Sequence, residues 1–165
     1  MIHIASGMSK SSLTNVQPED IQPNAVDLRV DKIFESLGTP FVLDEDKKEH
    51  RASQELMPDE NGYWSLNPGS YEIVMENIID VGQGEAGFVI TRSTLNRNGV
   101  FITSGLYDSG YNGIMAGCMH VNNGIFKLKR GTRVGQFLLF ESETLGLYDG
   151  DYGLNKEHDK RYGVN

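Results

Sequence analysis

The chain is 165 residues long, which predicts one domain with a full hydrophobic core. Its formal charge of −8 excludes a nucleic-acid-binding surface, since affinity for a polyanion needs many basic groups, but leaves room for a small anion met by locally gathered cations. Cys118 is the only cysteine, which excludes an intrachain disulfide or thiolate metal cluster and fits a reducing compartment; no stretch approaches the roughly 20 apolar residues of a membrane helix. The expectation is a cytoplasmic protein, or one of the host cytoplasm if virus-encoded, with neither nucleic acid nor membrane as partner.

Residues 1–20 are rich in Ser, Thr, Asn and Gln with little periodicity and read as an N-terminal arm or edge segment. In the following IQPNAVDLRVDKIF, Val26, Leu28 and Val30 fall on one side of an extended chain, with Asp27 and Arg29 on the other. Residues 44–60 carry dense charge of both signs and predict a solvated loop with a helical turn around Glu49 to Leu56. Tyr71, Ile73 and Met75 alternate with Glu72, Val74 and Glu76, a strand pattern, and IIDVGQGEAGFVIT adds another after a Gly-rich break. Beyond Gly99, GIMAGCMHV, GIFKLK and RVGQFLLFE read as strands separated by turns at Asn112-Gly113, Asn123-Gly124 and Arg130-Gly131. Many short strands with regular turn signals predict an all-β barrel or jelly-roll-like sandwich with very little helix.

The chemistry concentrates in RSTLNRNGVFITSGLYDSGYN, Arg92 to Asn112. Ser93 and Thr94 open a brief helical run that Gly99 ends, and free N–H groups, hydroxyls and Arg92 there would cradle phosphate oxygens. The Gly-bounded hairpin that follows offers Asp108 as a base and Tyr111 as a flat stacking face, and Ser104 and Gly105 at its start are counted with the substrate contacts. Each residue has a plainer reading: Asp108 as a turn-stabilising aspartate, Tyr111 as a packed aromatic, Arg92 as half of a surface ion pair. The tail, residues 148–165, is too poor in aliphatics to fold independently. It reads either as a disordered terminus or, through Lys156, Lys160, Arg161 and Tyr162, as a flap over phosphates. His120 is a lone strand histidine, and four scattered histidines give a protein-bound zinc site little support.

Taken together, NAVDLRV, TRSTLNRNG, GLYDSGYNG and GTRVGQF resemble, in order and approximate spacing, the motifs of the dUTPase and dCTP deaminase superfamily, over roughly Ile21 to Glu141. The resemblance implies a dUTPase-like distorted barrel over residues 1–147, a homotrimer with active sites shared between subunits, and a deoxynucleoside triphosphate as substrate. By the same resemblance Asp108 activates the attacking water and Tyr111 packs on the deoxyribose. Arg92, Ser93, Thr94 and Gln136 belong to the phosphate site, and Asp27 lies near Mg²⁺ and the triphosphate. The implied activity is conversion of dUTP to dUMP and pyrophosphate. The segment between Arg92 and Asp108 is a few residues shorter than in typical dUTPases, which opens the alternative of a related enzyme, deaminase or pyrophosphatase, acting on dCTP or a modified pyrimidine nucleotide; a separate alternative is a non-catalytic nucleotide-binding regulator that keeps the pocket. YDGDYG resembles the Tyr-Gly-Tyr pattern near the end of dCTP deaminases. The deaminase glutamate, counted without gaps from Asp108, falls on Cys118, and a thiol cannot replace a carboxylate in that proton relay.

Overall fold

A computed structural model describes residues 1–163; the last two positions of the 148–165 tail lie outside the described residues. Twelve strands run in chain order: β1 (Ser12–Leu13), β2 (Val26–Ser36), β3 (Val42–Leu43), β4 (Lys48–Glu49), β5 (Ser53–Leu56), β6 (Tyr63–Leu66), β7 (Gly69–Asp80), β8 (Glu85–Thr91), β9 (Val100–Thr103), β10 (Asn112–Val121), β11 (Phe126–Lys129) and β12 (Arg133–Glu141). One short helix, α1 (Ser93–Arg97), and 3₁₀ turns at Pro18–Asp20 and Glu157–Tyr162 complete the described elements. The expected all-β architecture with very little helix is therefore the one found.

The main sheet runs β8-β12-β2-β7-β10-β9, with β1 added to β7 and β5 to β2, and every pairing is antiparallel. Strand β2 turns the corner: Val26–Arg29 pairs with β12, and after a register shift Val30–Glu35 pairs with β7. The two outer strands of the path, β8 and β9, are joined partly by side chains. Thr91 Oγ1 receives the Ile102 amide at 2.7 Å and donates to the Ile102 carbonyl at 2.9 Å. Ser104 Oγ receives the Val89 amide at 2.9 Å, and Gly87 and Tyr107 exchange two backbone bonds. The sheet thus nearly closes on itself, which protects its edges. Its interior holds Val26, Leu28, Val30, Ile33, Ile73, Met115, Met119 and Phe137.

Three local expectations need correcting. Glu49 to Leu56 forms no helical turn; Lys48–Glu49 pairs with β3, and Ser53–Leu56 extends the sheet alongside β2. Asn112-Gly113 is not a turn but the start of β10. The reversal before it lies at Asp108 to Tyr111, where the Tyr111 amide reaches the Asp108 carbonyl at 3.0 Å and Gly110 takes φ 82°. The tail is not an unstructured terminus: residues 148–163 lie along the barrel, and Tyr162 joins Phe34, Val74 and Ile114 in a second apolar cluster on the outward face of β2, β7 and β10. Composition understated this because the tail borrows its apolar partners from the strands.

The N-terminal arm is fixed by a buried carboxylate. Glu85, 2% exposed, accepts the Lys10 amide at 3.0 Å, the Ser11 amide at 3.0 Å and the hydroxyls of Ser9 at 3.2 Å and Ser11 at 2.5 Å. Burial pushes its pKa up, but these donors outweigh burial and hold it below the ordinary 4.5. A folded-state pKa lower than the unfolded one means that the contribution is complete above pH 4.5 and is lost as pH falls through the folded value. Glu85→Gln is expected to destabilise the protein by about 1–3 kcal/mol at neutral pH. Denaturant titrations of both proteins should converge as the pH is taken below 4.5; an equal gap at pH 7 and pH 3 would contradict this account.

Candidate active site

At one end of β8 and β12, three sequence segments converge on a buried carboxylate. Asp27, 1% exposed, lies opposite Gln136 in the β2–β12 register, and its Oδ1 accepts Gln136 Nε2 at 3.1 Å. Its Oδ2 meets Arg92 Nε at 3.2 Å and an Arg133 guanidinium nitrogen at 3.4 Å. Arg92 stands at the N-cap of α1, immediately after β8, with its amide bonded to the Val134 carbonyl at 3.2 Å. Ser93 and Thr94 open the helix, exposed, and their hydroxyls have no hydrogen-bond partner among the described residues. Gly99, at φ 72°, follows the helix end as the sequence predicts. The arrangement gathers two guanidiniums, each about a third exposed, beside two free hydroxyls and the open amides of a helix start. That is a cradle for an anion.

Asp27 itself is not placed to hold a metal. Its side chain is fully enclosed and its oxygens face two guanidiniums and an amide. No group of three or more His, Cys, Asp or Glu residues capable of holding an ion occurs among the described residues. Its place here is to aim Arg92, Arg133 and Gln136. Arg133 went unremarked in the sequence although it lies inside GTRVGQ; its signal was a basic residue three positions before Gln136 in the strand opposite Asp27.

The hairpin residues lie elsewhere. Tyr111 is buried, its hydroxyl donates to the Ile114 carbonyl at 3.0 Å, and burial pushes its phenol well above the ordinary value. It packs against Tyr107 and Tyr148 at ring separations of 5.4 and 5.2 Å. The three tyrosines line a cavity of about 820 Å³ floored by β10 residues Ala116, Gly117 and Cys118, reached by Gly105, and walled by tail residues Tyr152, His158, Arg161 and Tyr162. The Cys118 thiol is pushed up, by burial first and then by neighbouring Glu72, and so stays neutral. Ser104 points away from this cavity's chemistry: its hydroxyl is spent on Val89 and the Gly105 carbonyl. Arg161 does not stand free for phosphates as expected, because Glu72 holds it at 2.5 Å, while the Lys156 ammonium has no salt-bridge partner among the described residues.

Asp108 lines a smaller neighbouring cleft of about 370 Å³ with Ala86, Ser109 and residues 142–148. It is exposed and its carboxylate makes no hydrogen bond among the described residues, so it does not stabilise its own turn. Tyr148 lines both the cleft and the large cavity. Asp108 sits by Ala86, near the start of β8, whereas Arg92 follows its end; at roughly 3.4 Å per residue the intervening strand sets them about 20 Å apart. Within one chain, Asp108 and the anion cradle do not meet.

Comparison with known proteins accords with this arrangement of motifs. A dCTP deaminase-like family profile matches residues 3–142. A probable deoxyuridine 5'-triphosphate nucleotidohydrolase of Methanothermobacter thermautotrophicus is 33% identical over 137 residues, covering 81% of this chain and 88% of its own. A protein of the same designation from Halobacterium salinarum is 34% identical over 142 residues, covering 83% and 85%. Among solved structures, the 2'-deoxycytidine 5'-triphosphate deaminase of Agrobacterium tumefaciens shares the fold at TM-score 0.60 and 16% identity, over 79% of this chain and 43% of that one. Since the profile spans nearly the whole barrel, and sequence relatives and fold point the same way, the chain belongs to the dCTP deaminase-like family, within the dUTPase and dCTP deaminase superfamily.

Proposed function

We propose that the protein is a cytoplasmic dUTP nucleotidohydrolase that releases dUMP and pyrophosphate, working as a homotrimer. The observation that carries this reading is the convergence of Asp27, Arg92, Arg133 and Gln136 into an anion cradle next to the free hydroxyls of Ser93 and Thr94. Membership of the family and the designation of the archaeal relatives support the choice of nucleotide. The nucleoside enters the large cavity against Tyr111, and the phosphates extend to the cradle of a neighbouring copy. Separation of Asp108 from Arg92 along β8 favours sites shared between subunits, because only a second chain brings the two groups to one substrate.

In the reaction, the Asp108 carboxylate takes a proton from water while the water oxygen bonds to the α-phosphorus. The bond from that phosphorus to the α–β bridging oxygen breaks, and the electron pair leaves on pyrophosphate. Negative charge building on the leaving group is met by the guanidiniums of Arg92 and Arg133 and by the hydroxyls of Ser93 and Thr94. The described residues do not fit a protein-held Mg²⁺ site, so any such ion travels with the triphosphate. A deaminase reaction is disfavoured, since the neutral Cys118 thiol cannot shuttle protons to a cytosine ring.

Asp108→Asn should lower kcat for dUTP by about 10²- to 10⁴-fold with KM little changed; wild-type turnover by the purified variant would remove the base from the mechanism. Incubation with dCTP should release no ammonia, and its detection would restore the deaminase alternative. Subunit sharing has its own check. Arg92→Ala and Asp108→Asn, each inactive alone, should regain about a quarter of wild-type activity when unfolded and refolded together in equal amounts, because random mixing pairs intact halves in that share of sites. No recovery beyond the parents would place base and cradle in the same chain.

A further inference from the structure

Glu72 lies on the outward face of β7, directly opposite Cys118 of β10 in the register, on the margin of the large cavity. Alternation alone makes it a solvent-facing carboxylate. Instead the tail comes down on it. Arg161 brings one guanidinium nitrogen to both carboxylate oxygens, at 2.5 and 2.6 Å, and the Tyr162 hydroxyl donates to the same group. Arg161 also donates to Ser53 Oγ at 2.8 Å and lies 5.5 Å from the centre of the Phe34 ring, which Tyr162 meets edge-on at 5.9 Å. Glu72 is the single acidic group that Arg161 pairs with among the described residues, and the pair is partly exposed, at 31% and 25% side-chain exposure.

We infer that Glu72 is a positioning residue that clamps the tail onto the barrel through Arg161 and Tyr162 and so builds one wall of the large cavity. The cavity loses that wall when the tail leaves, because Tyr152, His158, Arg161 and Tyr162 all come from it. Arg161 is thereby spent on the wall and is not a phosphate ligand. The ion pair does not act alone: one Arg161 nitrogen engages both carboxylate oxygens, and Tyr162 buries its ring in the apolar cluster with Phe34, Val74 and Ile114. Elsewhere along the tail, Lys48 meets Asp151, the His50 and His158 rings lie 4.5 Å apart, and the Leu154 amide donates to the Asn112 carbonyl of β10 at 2.9 Å. Among the described residues, only the Glu72 contact ties the 3₁₀ turn of the tail to the main sheet by an ion pair, through β7 beside the β10 floor of the cavity.

The effect on catalysis rests on the proposed entry of the nucleoside into this cavity; the clamp does not. The experiment therefore reads both in the full-length protein. Glu72→Gln, Arg161→Gln and the double variant are treated with trypsin without nucleotide, following cleavage after Lys156 and Lys160, and are assayed for KM and kcat on dUTP. The clamp predicts tail cleavage about tenfold faster in each single variant and no faster in the double, since both remove one interaction. KM should rise by a similar factor while kcat stays within about twofold. Tyr162→Phe, which deletes only the hydroxyl, should shift cleavage in the same direction by less and carries the test if Glu72→Gln fails to fold. Unchanged tail protection in Glu72→Gln or in Tyr162→Phe overturns the clamp. So does an Arg161→Gln defect in KM that far exceeds that of Glu72→Gln and multiplies with it, because Arg161 would then be meeting the phosphates. Faster cleavage with unchanged KM keeps the clamp and removes the nucleoside from this cavity.

Discussion

A carboxylate shut inside a protein is tolerable only when its charge is answered, and Asp27 makes that requirement organise the active end of the barrel. Its enclosed side chain draws in Arg92 from the start of α1 and Arg133 and Gln136 from β12. The guanidiniums, each partly exposed, are held by their inner faces and keep their outer faces for an anion. Removing the carboxylate would free two cations and leave Gln136 without its partner. The same interaction therefore fixes the junction of β2, β8 and β12 and prepares the surface on which a triphosphate would lie.

A second buried or half-buried carboxylate recurs at each of the other junctions. Glu85 holds the arm at the start of β8 with a ring of hydroxyl and amide donors, and Asp20 receives Arg29 at 2.7 Å beside the corner strand β2. Glu72 holds the tail. In an acidic chain these groups, together with Asp159 at 8% exposure, are withdrawn from the general negative field by specific donors. Most of the other carboxylates lie at the surface, where they disfavour contact with polyanions.

The placement of Asp108 and Arg92 at opposite ends of β8 gives the fold a division of labour. One end of the barrel presents Asp108 and the aromatic cavity, and the other presents cations. On the proposed reading these are complementary halves of one site, which association of copies would complete. The outer faces of β8 and β12 carry a stacked Phe88–Phe140 pair at 5.6 Å, with Ile90 also exposed, an apolar surface suited to contact between chains.

Local sequence determined a good deal of this protein. Alternation of Val26, Leu28 and Val30 gave β2 its inward face, and Asn123-Gly124 and Arg130-Gly131 marked the breaks on either side of β11, with Gly124 and Gly131 at φ 59° and 79°. The brief helix after Arg92 was likewise legible, because capping and glycine termination are properties of neighbouring residues. What only tertiary structure decided were the long-range partners. The resemblance put Asp27 near Mg²⁺ and the triphosphate, but that its oxygens face Arg92, Arg133 and Gln136 emerged only from the fold, and Arg161 looked free until Glu72 was found beneath it. The tail illustrates the reason most clearly. Its own residues hold too little apolar surface to fold, but Tyr162 completes a cluster whose other members lie far away in the chain, and no local pattern records a surface that another segment supplies.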